Sequence, residues 1–164
     1  MLSFQNENII TYCMEIKNYE FWMKKAIELA QKSYEQNEVP VGTLIIKNNH
    51  VVGRGWNLMN STNIATNHAE IMAINMASQE LNNWRLLDCE IYVTLEPCLM
   101  CVGAINNCRI KKVIYGARNN NFGAINMIRP KIEVISGILQ FECSKMLSNF
   151  FKKIRGIAEA HRIL

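Results

Sequence analysis

The sequence contains little proline, few charged residues and no long apolar run, and is therefore compatible with a compact globular fold. Only three of its 164 residues are proline, and 20% are charged against 49% hydrophobic, which argues against disorder. No apolar run approaches the roughly 18–20 residues that a membrane-spanning helix requires, and residues 1–17 lack the basic and then apolar segments of a secretory signal. We therefore expect a cytoplasmic chain that forms a single domain.

A strong excess of either charge is also absent. The formal net charge is +4 and the isoelectric point is near 8.8. This mild basicity permits an anionic partner such as nucleic acid but does not require one. In the expected compartment, the six cysteines are better interpreted as thiols or metal ligands than as a disulfide framework.

The spacing of apolar residues predicts alternating helices and strands. An amphipathic helix is predicted over 19–36, in a single domain over 19–164. Residues 1–18 show no sustained period and are interpreted as an N-terminal extension or an additional turn of helix. Five strands are predicted, at 41–46 and 51–56 in a hairpin and at 90–95, 112–116 and 131–135. Three further helices are predicted, at 68–81, from Pro97 to Asn107 and, as the closing helix, at 139–162. Loops are predicted at 57–67 and 117–130. This order predicts an α/β fold, with a mixed five-stranded sheet between helices in a three-layer α/β/α sandwich.

Two short segments have the spacing of a metal site. His68 precedes Ala69-Glu70, and Cys98 and Cys101 follow Leu95-Glu96-Pro97. One nitrogen and two thiolates are three ligands that Zn²⁺ accepts, whereas a structural zinc site would use four, so a position is left for water. A C-x-x-C pair alone could equally be two buried structural cysteines or a redox pair, but the upstream H-x-E favours metal binding.

Glu70 lies two residues past the predicted histidine ligand. Residues two apart on a regular helix do not share a face, so the spacing makes sense only at the entry turn, where the two side chains can converge if His68 is not yet fully helical. The carboxylate of Glu70 could then move the protons of the water without binding the metal. The whole pattern, H-x-E…P-C-x-x-C, matches the signature of zinc-dependent nucleobase deaminases and predicts a hydrolytic deamination in which Glu70 is the catalytic acid and base.

Further segments carry a resemblance to a known family. They are Glu38-Val39-Pro40-Val41-Gly42, Gly55-Trp56-Asn57, Arg85-Leu86-Leu87-Asp88, Tyr92-Val93-Thr94 and Tyr115-Gly116-Ala117-Arg118. In this order and spacing, together with the metal motifs, the chain resembles the bacterial tRNA-specific adenosine deaminases of the cytidine deaminase-like superfamily. The resemblance covers about residues 20–160.

The resemblance implies conversion of adenosine to inosine at the wobble position (34) of an arginine tRNA. It also implies one zinc ion per subunit, an anticodon stem-loop as substrate and a homodimer. By position, Asn57 would hydrogen-bond the extruded base, Val39 and Leu95 would help to wall the pocket, and Ala69 would offer a backbone N–H. From the residues alone, Asn57 is only a polar residue at the end of a strand.

Two segments depart from the family pattern. Asn119 stands where the family usually has an acidic residue, so any contact of that carboxylate with the sugar of the substrate is not carried over. We hypothesise that Asn119 loosens the preference for RNA over DNA. The loop at 122–130 is also shorter than is usual in these enzymes, so its RNA and subunit contacts are not transferred.

The predicted closing helix carries a basic run beside two phenylalanines. Its basic residues are Lys145, Lys152, Lys153, Arg155 and Arg162. Such a run is often only a solvated face. The alternative is a surface that contacts phosphates, with Phe151 beside it as an aromatic ring that can stack on an extruded base.

Two other functions share some of these features. A deaminase of free bases or nucleosides, such as guanine or cytosine, would have the same metal motifs. A non-catalytic RNA-binding module would keep zinc for structure, but Glu70 and the missing fourth protein ligand argue against it.

Overall fold

The chain folds as alternating helices and strands. The computed structural model describes the backbone of residues 2–160 and the side chains of residues 15–156. In chain order the elements are α1 (Leu2–Glu35), β1 (Gly42–Lys47), β2 (His50–Trp56), α2 (Met59–Thr62), α3 (Ala69–Glu80), β3 (Glu90–Leu95), α4 (Leu99–Cys108), β4 (Lys112–Ala117), a 3-10 turn (Ile125–Met127), β5 (Glu133–Ser136) and α5 (Gln140–Ala160). None of the helices within these residues is long and apolar enough to cross a membrane.

The strands form one mixed five-stranded sheet in the order β2-β1-β3-β4-β5. β1 pairs antiparallel with both β2 and β3, whereas β3, β4 and β5 run parallel. The parallel pairs need crossover connections, which α4 and the segment after β4 provide. The carboxyl ends of β3 and β4 therefore lie at the same edge of the sheet, and the candidate site is built there.

Alternate residues of the central strands face opposite layers of helix. Ile45, Ile91 and Val113 pack with residues of α3 and α4 in one buried cluster. Their neighbours Leu44, Tyr92 and Ile114 pack with residues of α1 and α5 in another. This period-2 alternation, with both faces apolar, is what a sheet covered on both sides requires. The predicted three-layer α/β/α fold is confirmed.

Several predicted boundaries are wrong. α1 begins at Leu2, not at residue 19, so the predicted division at residue 18 lies inside a helix; the first 38 residues contain no glycine or proline that would interrupt it. The loop predicted at 57–67 contains α2, and that at 117–130 contains the 3-10 turn. β5 begins two residues later than predicted.

The start and end of two helices also differ from the prediction. Pro97 is not the first helical residue, because Cys98 is the N-cap of α4 and Pro97 precedes it. The proline still suits its place, since its fixed backbone angle and missing N–H cost little just before a helix. At the other end of the chain, Arg162 of the predicted closing helix lies outside the described residues.

Candidate active site

Two helix N-termini meet at the predicted metal site. His68 is the N-cap of α3, with extended backbone angles (φ −73°, ψ 154°), and Cys98 is the N-cap of α4 (φ −75°, ψ 172°). Neither side chain caps its own helix, so both are available as ligands. α3 can lie this close to β2 because residue 55 is glycine; any β-carbon there would overlap the carbonyl oxygen of Ala69.

His68, Cys98 and Cys101 form a group with the geometry of a zinc site. The Nδ1 atom of His68 lies 3.6 Å from the sulfur of Cys98 and 3.6 Å from that of Cys101. With Zn–S near 2.3 Å and Zn–N near 2.0–2.1 Å, the nitrogen and sulfur ligands of a tetrahedral zinc lie about 3.6 Å apart. The donor atoms therefore fit this ion. Within the described residues, these are the three grouped His, Cys, Asp or Glu side chains that could hold a metal.

The surroundings of the two cysteines favour a thiolate at Cys98 and a thiol at Cys101, because the hydrogen bond with Cys98, together with burial, raises the pKa of Cys101. A hydrogen bond from Cys101, and a second from His68, lower the pKa of Cys98 to about 4. Both sulfurs also lie near the positive end of the α4 dipole, which further favours negative charge. A thiolate at neutral pH is the form that binds a metal ion.

Among the residues whose side chains are described, three cysteines outside the group behave differently. Burial raises the pKa of Cys108 to about 11 and that of Cys143 to about 12, so both remain neutral thiols at pH 7. Cys89 is fully buried in the same cluster as Cys108. These three side chains pack as small apolar groups.

Glu70 lies beside the metal-ligand group in the first turn of α3. It is 4% exposed, and burial raises the pKa of its carboxyl to about 7. A carboxyl group with this pKa can both accept and donate a proton near neutral pH. The extended backbone of His68 is what allows a ligand and an acid two residues apart to point into one space.

A cavity of about 710 Å³ opens over this group. This volume lies within the range of small-molecule sites. The residues proposed from the sequence for metal, catalysis and substrate that line it are Val39, Asn57, His68, Ala69, Glu70, Leu95, Cys98, Asn119 and Phe151. Cys101 lies behind them, fully buried.

Comparison with known proteins agrees with this geometry. The family model of MafB19-like deaminases matches residues 17–155. The tRNA-specific adenosine deaminase of Streptococcus pyogenes serotype M1 is 39% identical in an alignment 153 residues long, and the match covers 88% of this chain and 88% of that one. The chain belongs to the family of tRNA-specific adenosine deaminases.

Two solved structures extend the family comparison. A structure from a study of A-to-I editing by tRNA:A34 deaminases is 34% identical, with a TM-score of 0.71, over 76% of this chain and 96% of that one. A guanine deaminase from Bacillus subtilis is also 34% identical, with a TM-score of 0.60, over 63% of this chain and 70% of that one. As a family member the chain is a hydrolytic deaminase, so the non-catalytic alternative is excluded.

The structure adds residues to this deaminase site that the sequence analysis missed. Glu96 and Phe122 line the cavity. The carboxylate of Glu96 accepts a hydrogen bond from the backbone N–H of Asn119 at 3.2 Å. The side-chain oxygen of Asn119 in turn accepts one from the N–H of Phe122 at 3.1 Å. These contacts join β3 to the loop after β4, and no spacing within one segment could have predicted them.

Glu38 was also missed, although it stands in a segment that carries the family resemblance. Its side chain is fully buried and accepts hydrogen bonds from Asn57, Asn60 and Ser61. The signal available in the sequence was an acidic residue between a helix end and Val39-Pro40, which by itself indicates only a polar turn.

The basic run lies on α5, the helix that contributes Phe151 to the cavity wall of this deaminase. Lys145, Lys152 and Arg155 are exposed, and the 46% exposed ring of Phe151 lines the cavity. Lys153 instead donates a hydrogen bond to the side-chain oxygen of Asn37 at 2.8 Å. Within the described residues, none of these four basic side chains forms an ion pair.

Proposed function

We propose that the protein converts adenosine to inosine at the wobble position, position 34, of tRNA, with an arginine tRNA as the substrate. The reaction consumes water and releases ammonia. It would take place in the cytoplasm, in a homodimer with one Zn²⁺ per subunit. The observation that carries the proposal is the buried Glu70 beside a three-ligand group at the base of a cavity, in a chain of this family.

His68, Cys98 and Cys101 would hold the zinc ion. When bound, zinc lowers the pKa of a coordinated water from 15.7 to about 7, and so supplies a nucleophile at neutral pH. Three protein ligands suit this catalytic use, because a structural site would use a fourth side chain. The extended N-cap conformations of His68 and Cys98 fix the directions of two of the three donors.

Glu70 would carry the protons of the reaction. Its carboxylate takes a proton from the water that attacks C6 of adenine and delivers it to N1 of the ring. It then takes the remaining proton of that water from the new C6 hydroxyl and transfers it to the departing amino group, which leaves as ammonia. The near-neutral pKa that burial gives Glu70 suits both directions of transfer.

The walls of the cavity would bind the extruded base. Val39 and Leu95 supply apolar contacts, the amide of Asn57 hydrogen-bonds the base, and the backbone N–H of Ala69 is a further donor. All four line the cavity. An adenosine in a single-stranded loop can be turned out of its stack at low cost, as such recognition needs.

The rim of the cavity would contact the rest of the anticodon loop. Phe151 offers a ring for stacking, and Lys145, Lys152 and Arg155 on the same helix offer charge to phosphates. Asn119 would lie near the sugar. Its oxygen is engaged by the N–H of Phe122, so its NH₂ group is the part that can reach a substrate, as a donor where a carboxylate could only accept.

The main alternative is a deaminase of free guanine. The similarity to the B. subtilis guanine deaminase supports it, but that match covers less of the chain than the match to the tRNA:A34 deaminase structure. The exposed basic side chains on α5 also favour a polyanionic substrate over a free base.

The decisive experiment measures deamination of several substrates by the purified protein. These are an anticodon stem-loop with adenosine at position 34, the same loop with adenosine at another position, a matched DNA hairpin, free guanine and free cytosine. The proposal expects inosine at position 34 of the stem-loop, slower turnover of the DNA hairpin and none of the free bases. Turnover of guanine alone would reject it, and strict restriction to RNA would reject the hypothesis on Asn119.

A further inference from the structure

Glu38 is a fully buried acid for which the proposed chemistry has no use. It lies between α1 and β1, is 0% exposed, and faces no cation among the ion pairs of the described residues. A buried carboxylate is costly unless its oxygens are satisfied by donors. The donors that satisfy Glu38 therefore indicate which segment of the chain this side chain holds in place.

Four donors converge on the Glu38 carboxylate. Ser61 gives its backbone N–H at 2.6 Å and its hydroxyl at 2.8 Å, both to Oε1. Asn60 gives its side-chain NH₂ at 3.1 Å, and Asn57 gives its own at 3.4 Å, both to Oε2. All of these donors belong to the short segment that runs from the end of β2 into α2. One carboxylate therefore holds a wall of the active-site cavity, to which Asn57 and Met59 contribute.

The contact with Asn57 determines which end of its amide faces the cavity. A carboxylate oxygen only accepts, so the NH₂ group must point toward Glu38 and the carbonyl oxygen away from it. The backbone of Asn57 is fixed as well, because its N–H donates to the carbonyl of Val41 at 3.1 Å. Its own carbonyl accepts from the hydroxyl of Ser33 at 3.1 Å. With the backbone fixed in this way, the orientation of the Asn57 side chain is determined by its hydrogen bond to Glu38.

We propose that Glu38 is a positioning residue that fixes the Asn57 amide and the 57–61 segment for recognition of the base. Glu38 does not touch the substrate and acts through Asn57. The inference rests on the proposed function, because it takes base binding by Asn57 from there. It adds a determinant of substrate affinity that lies behind the cavity wall, outside the metal-ligand group.

The test is a double-mutant cycle of Glu38→Gln and Asn57→Ala, assayed on the anticodon stem-loop. The introduced glutamine keeps the shape of the side chain but can turn either an oxygen or an NH₂ group toward Asn57, so the amide is no longer fixed. We expect a loss of kcat/KM of about tenfold for Glu38→Gln, as for one lost hydrogen bond, mainly through a higher KM. Asn57→Ala should lose more, and Glu38→Gln should then add less than about twofold.

Three measurements separate positioning from a merely structural role. Glu38→Gln should keep the zinc content of the unmutated protein and should still unfold in a single cooperative thermal transition, although at a lower melting temperature. Glu35→Gln, which changes an exposed acid on α1 that bonds only to Gln31 at the surface, is the matched control and should leave KM unchanged. If Glu38→Gln does not fold, Ser61→Ala removes one of the four bonds from an exposed residue and should raise KM about threefold, again without adding to Asn57→Ala.

The outcomes distinguish this inference from the proposed function. Losses that multiply across the two sites, or an unchanged KM in Glu38→Gln, overturn the positioning role while the unmutated protein remains active on the stem-loop. An unmutated protein that turns over none of the stem-loop overturns the proposed function instead.

Discussion

The two kinds of cysteine in this chain differ because of what lies next to each sulfur. Cys98 has a thiol and an imidazole within hydrogen-bond reach, and its pKa is lowered to about 4. Cys108 has an apolar core around it, and burial raises its pKa to about 11. The environment of Cys98 favours the thiolate, the form that binds metal ions, whereas the environment of Cys108 favours a neutral thiol packed in the core. Residue type alone therefore does not assign the function of a cysteine.

Replacing Cys98 with serine should therefore remove zinc, whereas Cys108→Ala should not. We expect Cys98→Ser to weaken zinc affinity by more than about 100-fold, beyond the usual effect of changing a group that only supports a ligand. Cys108→Ala should bind one zinc per chain and lose about 1 kcal/mol of unfolding free energy. Metal analysis of both purified variants, with denaturant unfolding, measures this. Equal zinc content in the two variants would contradict the ligand assignment.

In the proposed mechanism, proton transfer depends on Glu70. Glu70→Gln keeps the volume and removes the titratable group, so we expect kcat to fall about 10²–10⁴-fold with zinc content unchanged. Glu80→Gln, at the exposed end of the same helix, serves as the control and should leave kcat unchanged. Single-turnover inosine formation measures both. A Glu70→Gln enzyme with kcat near that of the unmutated protein would remove the glutamate from the mechanism.

At the scale of elements, the site depends on one loop held against another. The loop after β4 crosses the loop after β3, where the N–H of Ala124 donates to the carbonyl of Pro97 at 3.0 Å. Gly123 lies at this crossing. A β-carbon there would come 2.5 Å from both the Cδ of Glu96 and the carbonyl oxygen of Asn119. The loop that places Asn119 and Phe122 over the cavity thus has no room for a side chain at its closest approach.

Gly123→Ala should displace this loop and impair substrate binding. We expect kcat/KM on the stem-loop to fall about tenfold or more, since misplaced contacts commonly have effects of this size. Gly103→Ala is the matched control, because a β-carbon on that exposed position of α4 meets nothing within 4 Å. It should stabilise the helix by about 0.5–1 kcal/mol with activity unchanged. Equal activity of the two variants would show that the loop crossing is irrelevant to binding.

The sequence predicted the elements well where their signals were local. Apolar runs predict the strands β1, β2, β3 and β4. The prediction is correct because helices cover both faces of the sheet, so that its central strands are apolar on both sides. The start of α1 was missed because residues 2–18 have no apolar periodicity, although nothing in them stops a helix. α2 was missed because it is one turn long and is held by Glu38 through contacts across the sequence.

The same distinction applies to the site. The ligands and Glu70 could be proposed from short spacings, since each pair lies on one helix end. Glu38 and Glu96 could not, because each acts on a segment that lies far away in the chain. Local patterns indicate candidate residues for the chemistry, whereas the residues that contact them from distant segments become visible only once the chain is folded.

At the scale of the whole molecule, the formal net charge of +4 includes exposed basic side chains on α5. Lys145, Lys152 and Arg155 extend from the helix that also places Phe151 in the cavity wall. A polyanionic loop would be held by this surface while one base enters the cavity. Affinity for RNA should then depend on salt, because phosphate contacts release counterions.

Lys152→Ala should reduce this salt dependence. We expect the slope of log K against log[salt], measured on the stem-loop, to become about 0.7–1 unit shallower in magnitude, the value for one lost phosphate contact. Lys25→Ala is the control, since Lys25 already pairs with Glu28 at 2.9 Å on α1. The same change of slope in both variants would indicate general charge rather than a binding surface.

Removal and return of zinc tests whether the protein needs the metal for deamination. The purified protein is stripped with a chelator, assayed for inosine on the anticodon stem-loop, and then reloaded with Zn²⁺. Activity should fall below about 1% and return in full when one zinc ion per chain is bound, because His68, Cys98 and Cys101 form a single site. Full activity in metal-free protein would contradict the central claim that this chain deaminates its substrate with a three-ligand zinc centre.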